Sequence, residues 1–102
     1  MRLRLAVVRG PSMVPTLRDG DRILVRLGVR GAVGSVVVVA LPDRPLSVKR
    51  LRAVEADGTV RVEGDNPYGS TDSRSLGALP AGALAGVVLA RLWPHPTLLR
   101  SK

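Results

Sequence analysis

Three short segments of this chain carry side chains that could do chemistry. The first is Gly10-Pro11-Ser12-Met13-Val14-Pro15-Thr16-Leu17. Ser12 stands on a stiff, non-helical stretch between two prolines. A hydroxyl held on a rigid turn beside backbone N–H groups can act as a nucleophile with an oxyanion site close by. A serine in a proline-rich turn is also an ordinary turn former. The second is Lys49, the sole lysine inside the chain; the other is Lys102, and every remaining basic residue is Arg. Arg cannot release its proton in a protein, whereas a desolvated lysine can become a neutral amine. Moving a lysine from about 10.4 to about 8 costs roughly 3.3 kcal/mol, which burial can supply. One leftover surface lysine is the plainer alternative. The third segment runs from Gly64-Asp65-Asn66 through Ser70, Asp72, Ser73 and Arg74. Its residues could equally be turn formers satisfying their own backbone.

The rest of the composition narrows the chemistry. The chain holds no Cys and a single histidine, His95. A disulfide framework and thiolate catalysis are thereby excluded. A zinc or nickel site would have to rest on carboxylates, so neither a metal nor another cofactor is expected. A Ser/His/Asp triad would need His95, which lies between Pro94 and Pro96 near the C-terminus and is poorly placed for it.

The length of 102 residues points to one domain, 1–102. The formal net charge is +8, and most of it falls in the first half of the chain. Such an excess raises nucleic acid and acidic membrane surfaces as partners. The Arg residues form no run, however, and Tyr68 and Trp93 are the only aromatics for base stacking. Abundant Ala, Arg, Gly, Val and Pro with little Lys also resembles the coding bias of a GC-rich bacterium. A generic basic surface is therefore expected and nucleic acid is not; peripheral contact with an acidic membrane stays open. The N-terminal apolar stretch is too short for a secretion signal, and no run of about twenty apolar residues exists to span a membrane. A soluble, cytoplasmic protein is expected.

The elements that must position these residues read as β. Arg2-Leu3-Arg4-Leu5 alternates like a half-buried strand. Residues 22–27 place Ile23, Val25 and Leu27 on one face, and residues 35–41 form a β-branched run suited to a strand buried on both sides. Pro42 ends that run at a loop over 42–45. A strand over 46–55 puts Lys49 with Ser47, Leu51 and Ala53, opposite a more charged face of Val48, Arg50, Arg52 and Val54. Asp57-Gly58 predicts a tight hairpin turn into residues 59–63. The stretch 64–77 reads as loop, and residues 78–92 are ambiguous between helix and strand. The fold class is all-β: a small folded-over sheet or barrel.

In order, Ser12-Met13-Val14-Pro15-Thr16-Leu17, then Lys49-Arg50, then Gly64-Asp65-Asn66 with Ser70, Asp72, Ser73, Arg74 and Gly77, resemble the boxes of the type I signal peptidase family. The resemblance covers about residues 9–92. Gly10-Pro11-Ser12, the compact length and Arg91-Leu92-Trp93-Pro94 look most like the nickel-type superoxide dismutase maturation branch. The family is one of Ser/Lys-dyad endopeptidases on an all-β fold. By that resemblance Ser12 is the nucleophile, Lys49 the general base, and Ser70 the hydroxyl that orients Lys49. Met13 would line the pocket beside the scissile bond, and Asp72 with Arg74 would form a structural pair. Gly10 occupies the oxyanion region, where many relatives carry a serine. The branch implies a precursor partner: a short N-terminal propeptide of a nickel-type superoxide dismutase, removed to expose a metal-binding N-terminus.

Three rivals remain. One is a signal peptidase-like protease acting on other preproteins at a membrane surface. Another is the self-cleaving domain of stress-response repressors, which needs a cleavable segment upstream of its nucleophile. Only eleven residues precede Ser12. The third is a non-enzymatic basic β-barrel that binds nucleic acid or a partner, which leaves the grouping of Ser12, Lys49 and Ser70 unexplained.

Overall fold

The computed structural model describes residues 1–42, 46–68 and 76–101. Among these residues seven strands follow one another: β1 (Arg2–Val7), β2 (Arg22–Leu27), β3 (Val36–Ala40), β4 (Leu46–Val54), β5 (Val60–Glu63), β6 (Leu84–Trp93) and β7 (Thr97–Leu98). A 3-10 turn, Ala81–Ala83, precedes β6. All pairings are antiparallel, in the order β1-β2-β6-β3-β4-β5, with β7 against β6. The all-β expectation holds. Among the described residues no pairing joins β1 to β5, so the sheet is open.

The valine run of β3 explains how the core is built. Successive side chains of a strand point to opposite faces, and both faces of β3 are covered. Val36 and Val38 pack with Val8, Met13, Leu17, Ile23, Val25 and Val88. Val37 and Val39 pack with Leu41, Leu51, Val60, Val62 and Leu79 on the other side. One sheet therefore separates two apolar clusters, as a continuous β-branched run predicts.

The ambiguous stretch is β6. As a central strand it pairs with β2 on one edge and β3 on the other. Gly86, Val88 and Ala90 are buried in alternation with half-buried neighbours. Gly86 is needed for close approach: a Cβ there would lie 2.5 Å from the carbonyl oxygen of Arg26. The small residues that resemble a helix serve tight strand packing.

Two expectations are corrected. Arg4 and Ala6 stand opposite Val25 and Ile23, so they share the core face. Leu3 and Leu5 are on the other face, 50% and 69% exposed. The alternation in β1 is real, but its leucines point outward because Ala6 and Val8 fix the register. The alternation in β4 places Arg50 on the more charged face, yet it is 1% exposed. The β4–β5 hairpin forms as expected, with Gly58 at φ 87° and Asp57 Oδ1 accepting both the N–H and the hydroxyl of Thr59. Of the loop over 42–45, residues 43–45 lie outside the described residues.

Candidate active site

The turn that carries Ser12 begins where β1 ends. The N–H of Val8 donates to the carbonyl of Asp21, and the N–H of Gly20 donates back to Val8, closing the neck of the loop. Gly10 adopts φ 80°, a conformation that favours glycine. Its N–H donates to Asp19 Oδ1 at 2.8 Å. Two bonds shape the following turn: Val14 N–H to Pro11 O at 3.1 Å and Leu17 N–H to Met13 O at 2.9 Å. Met13 and Leu17 are fully enclosed and root the turn in the core. Met13 thus lies among core residues, while Ser12 above it is half-buried.

Asn66 clasps this turn. Its N–H donates to the carbonyl of Ser12 at 2.9 Å, and its Nδ2 donates to the carbonyl of Pro11 at 3.1 Å. The neighbouring Asp65 accepts the hydroxyl of Thr16. These bonds bring the third segment onto the first.

The second segment joins through Arg50. Its Nη2 donates to Asp65 Oδ2 at 2.6 Å and its Nε to Oδ1 at 3.1 Å, a bidentate ion pair. The third guanidinium nitrogen, Nη1, donates to the carbonyl of Gly34 at 2.9 Å and to that of Arg100 at 3.5 Å. Arg52 is the extra residue at a β-bulge between Leu51 and Ala53. It brings a second positive charge to 3.6 Å from Asp65 Oδ1. Burial pushes the Asp65 carboxyl up. The hydrogen bonds from Arg50 and Thr16 and the charges of Arg50 and Arg52 outweigh that and hold it below the usual carboxylate value.

Lys49 precedes Arg50 on β4 and pairs in register with Val37. It is 4% exposed, so it is no surface lysine. Its enclosure is what a base that must lose its charge requires. Ser70, Asp72 and Arg74 lie outside the described residues. His95 is exposed, and its carbonyl accepts Arg91 Nε. Among the described residues no group of three or more His, Cys, Asp or Glu is placed to hold a metal ion, and no helix is long and apolar enough to cross a membrane.

An apolar hollow of about 110 Å³ lies between β1 and β4. Arg4, Ala6 and Val7 line one side and Leu46 and Val48 the other, with Val25, Leu27 and Val38 between. β1 leads from this hollow into the Ser12 turn, and β4 leads from it to Lys49. Among the described residues β1 has one strand neighbour, β2, and its other edge is open.

Charge pattern alone hides two parts of this site. Arg50 and Thr16 both sit inside the motif segments, yet nothing in their spacing shows that they meet through Asp65. Arg91 and Asp21 give no sequence signal of partnership; the topology brings them together, Arg91 Nη1 lying 3.7 Å from Asp21 Oδ2.

Comparison with known proteins agrees with this arrangement. A family model described as Peptidase S24-like matches residues 2–76. The chain is 37% identical to the mitochondrial ATP-independent inner membrane protease subunit 1a of Arabidopsis thaliana, over 85% of this chain and 68% of that protein. It is 33% identical to the mitochondrial inner membrane protease subunit 1 of Schizosaccharomyces pombe, over 91% and 75%. The human mitochondrial inner membrane protease subunit 1 is 30% identical, over 83% and 66%. The broader expectation, a protease of the signal peptidase type, stands. These relatives give no support to the nickel-type dismutase branch, to a bacterial source or to a cytoplasmic location. The chain belongs to the Peptidase S24-like family.

Proposed function

We propose that this chain is a serine endopeptidase with a Ser12–Lys49 dyad that cleaves a precursor protein after a short N-terminal segment. The observation that carries the proposal is the junction of the three sequence segments. Arg50 beside Lys49 grips Asp65, Asp65 grips Thr16, and Asn66 grips Pro11 and Ser12. The enclosure of Lys49 supports its role as the base.

In the proposed reaction the neutral Lys49 amine takes the proton of Ser12 Oγ as that oxygen bonds to the scissile carbonyl carbon. The backbone N–H of Ser12 donates to the oxyanion. Collapse breaks the C–N bond, and the Lys49 ammonium returns the proton to the leaving amine. Water, deprotonated by the same amine, then releases the acyl chain and restores Ser12. In this scheme Ser70 orients Lys49, and Asp72 with Arg74 braces the loop; both assignments rest on the family resemblance. An extended peptide would add along the open edge of β1 and drop small apolar side chains into the hollow.

The nickel-type dismutase propeptide remains the finer substrate proposal, supported by the Gly10-Pro11-Ser12 and Arg91-Leu92-Trp93-Pro94 resemblance alone. The second reading is a preprotein cleaved at a membrane surface. The exposed stripe of Leu3, Leu5 and Val7, flanked by Arg2, favours it, as do relatives named as inner membrane proteases. Mass spectrometry after incubation with each precursor decides between them. A single cut that exposes the dismutase N-terminus supports the first. Cleavage of a membrane preprotein alone, with co-sedimentation on anionic vesicles that Leu3→Asp/Leu5→Asp abolishes, supports the second.

A further inference from the structure

Arg91 lies beyond the residues matched by the family model, on β6 opposite Ile23. Its side chain is 19% exposed and reaches two separate segments, the turn after β6 and the turn that bears Ser12. Nε donates to the carbonyl of His95 at 2.7 Å, and Nη2 donates to Thr97 Oγ1 at 3.0 Å. Nη1 donates to the carbonyl of Thr16 at 3.3 Å and lies 3.7 Å from Asp21 Oδ2. The same carboxylate oxygen accepts the N–H of Arg18 at 2.9 Å. Thr16 is thus held twice, its hydroxyl by Asp65 and its carbonyl by Arg91. The Asp65 grip comes from the Lys49 side of the site. The Arg91 grip comes from β6 and the turn that follows it.

We propose that Arg91 is a positioning residue for catalysis. It fixes the turn through Thr16 and Asp21, and so sets where Ser12 presents its hydroxyl. This rests on Ser12 and Lys49 being the dyad. A planar guanidinium with five donors can bond in these divergent directions at once, which an ammonium on a flexible stem cannot do in the same geometry. Displacing a nucleophile by about 1 Å can cost about 10²-fold in rate without removing any reacting group.

The test uses the full chain with Arg91→Ala and Arg91→Lys, and Arg61→Ala as a surface control. Amide hydrogen exchange is followed without substrate, and peptide cleavage is followed with and without added methylguanidine. Both Arg91 variants are expected to exchange faster over residues 13–21 while β4 and β5 keep wild-type protection. They should lose about 10- to 100-fold in kcat with KM within about twofold of wild type. Methylguanidine should recover part of the Arg91→Ala loss. Should Arg91→Ala fail to fold, Arg91→Lys carries the test. The proposal is overturned by wild-type kcat in Arg91→Lys, by unchanged exchange over 13–21, or by uniform loss of protection with no rescue. A wild-type protein that cleaves no candidate peptide overturns the dyad, while the exchange data still judge whether Arg91 holds the turn.

Discussion

Arg50 and Asp65 meet through two parallel hydrogen bonds, 2.6 and 3.1 Å, between an arginine 1% exposed and an aspartate 10% exposed. This contact links the strand bearing Lys49 to the loop that grips Ser12 and Thr16. Its geometry turns two sequence motifs into one site.

Removing one partner leaves the other buried charge without its bidentate counter-ion, which costs about 3–5 kcal/mol. Arg50→Ala and Asp65→Asn should each lower the urea midpoint strongly. The apolar double replacement Arg50→Met/Asp65→Leu should cost less than either single change. A double variant as unstable as the two losses added together would show that the pair does not act as a unit.

The same carboxylate makes stability depend on pH. Its folded value lies below its ordinary one, so its contribution is full above about pH 4, the unfolded value. That contribution is lost as pH falls through the lower, folded value. The stability gap between wild type and Asp65→Asn should be constant from about pH 5 to 7 and should shrink on further acidification. Urea unfolding at a series of pH values measures it. A gap that widens towards low pH contradicts the assignment.

Much of this fold is legible in the sequence, for physical reasons that can be named. The valine run of β3 and the alternation in β2 report burial directly, and Asp57-Gly58 marks its own turn. β6 hides because two of its three buried positions, Gly86 and Ala90, are small, Gly86 for contact with the Arg26 backbone, so large apolar residues do not trace the period. β1 misleads because its leucines face outward at an open edge. Ser12, Lys49 and Asn66 are legible as motif members. The partnerships of Arg50 with Asp65 and of Arg91 with Thr16 are long-range products of strand order, which local pattern does not encode.

Gly86 offers a test of that strand packing. Gly86→Ala drives a Cβ to 2.5 Å from Arg26 O, a backbone atom that cannot rotate away. A loss of about 1–3 kcal/mol is expected from this overpacking, read as a lowered thermal midpoint. A midpoint equal to wild type would show that β2 and β6 separate without cost.

The hollow between β1 and β4 is expected to bind the substrate side chain nearest the cut. Val48→Trp fills much of its volume of about 110 Å³. The variant should keep the fold by circular dichroism and lose at least about tenfold in kcat/KM. Unchanged kcat/KM would move substrate binding elsewhere.

The central claim is that Ser12 attacks and Lys49 takes its proton. The most direct measurement is the pH–rate profile for cleavage of a precursor peptide by wild type, Ser12→Ala, Lys49→Ala and Lys49→Arg. Wild-type kcat/KM should rise with pH through an apparent pKa well below the value of about 10.4 for a free lysine. All three variants should fall by at least about 10³-fold, Lys49→Arg included, because arginine keeps its proton. Near-wild-type turnover by any of the three, or a wild-type profile flat from about pH 6 to 10, would contradict the dyad.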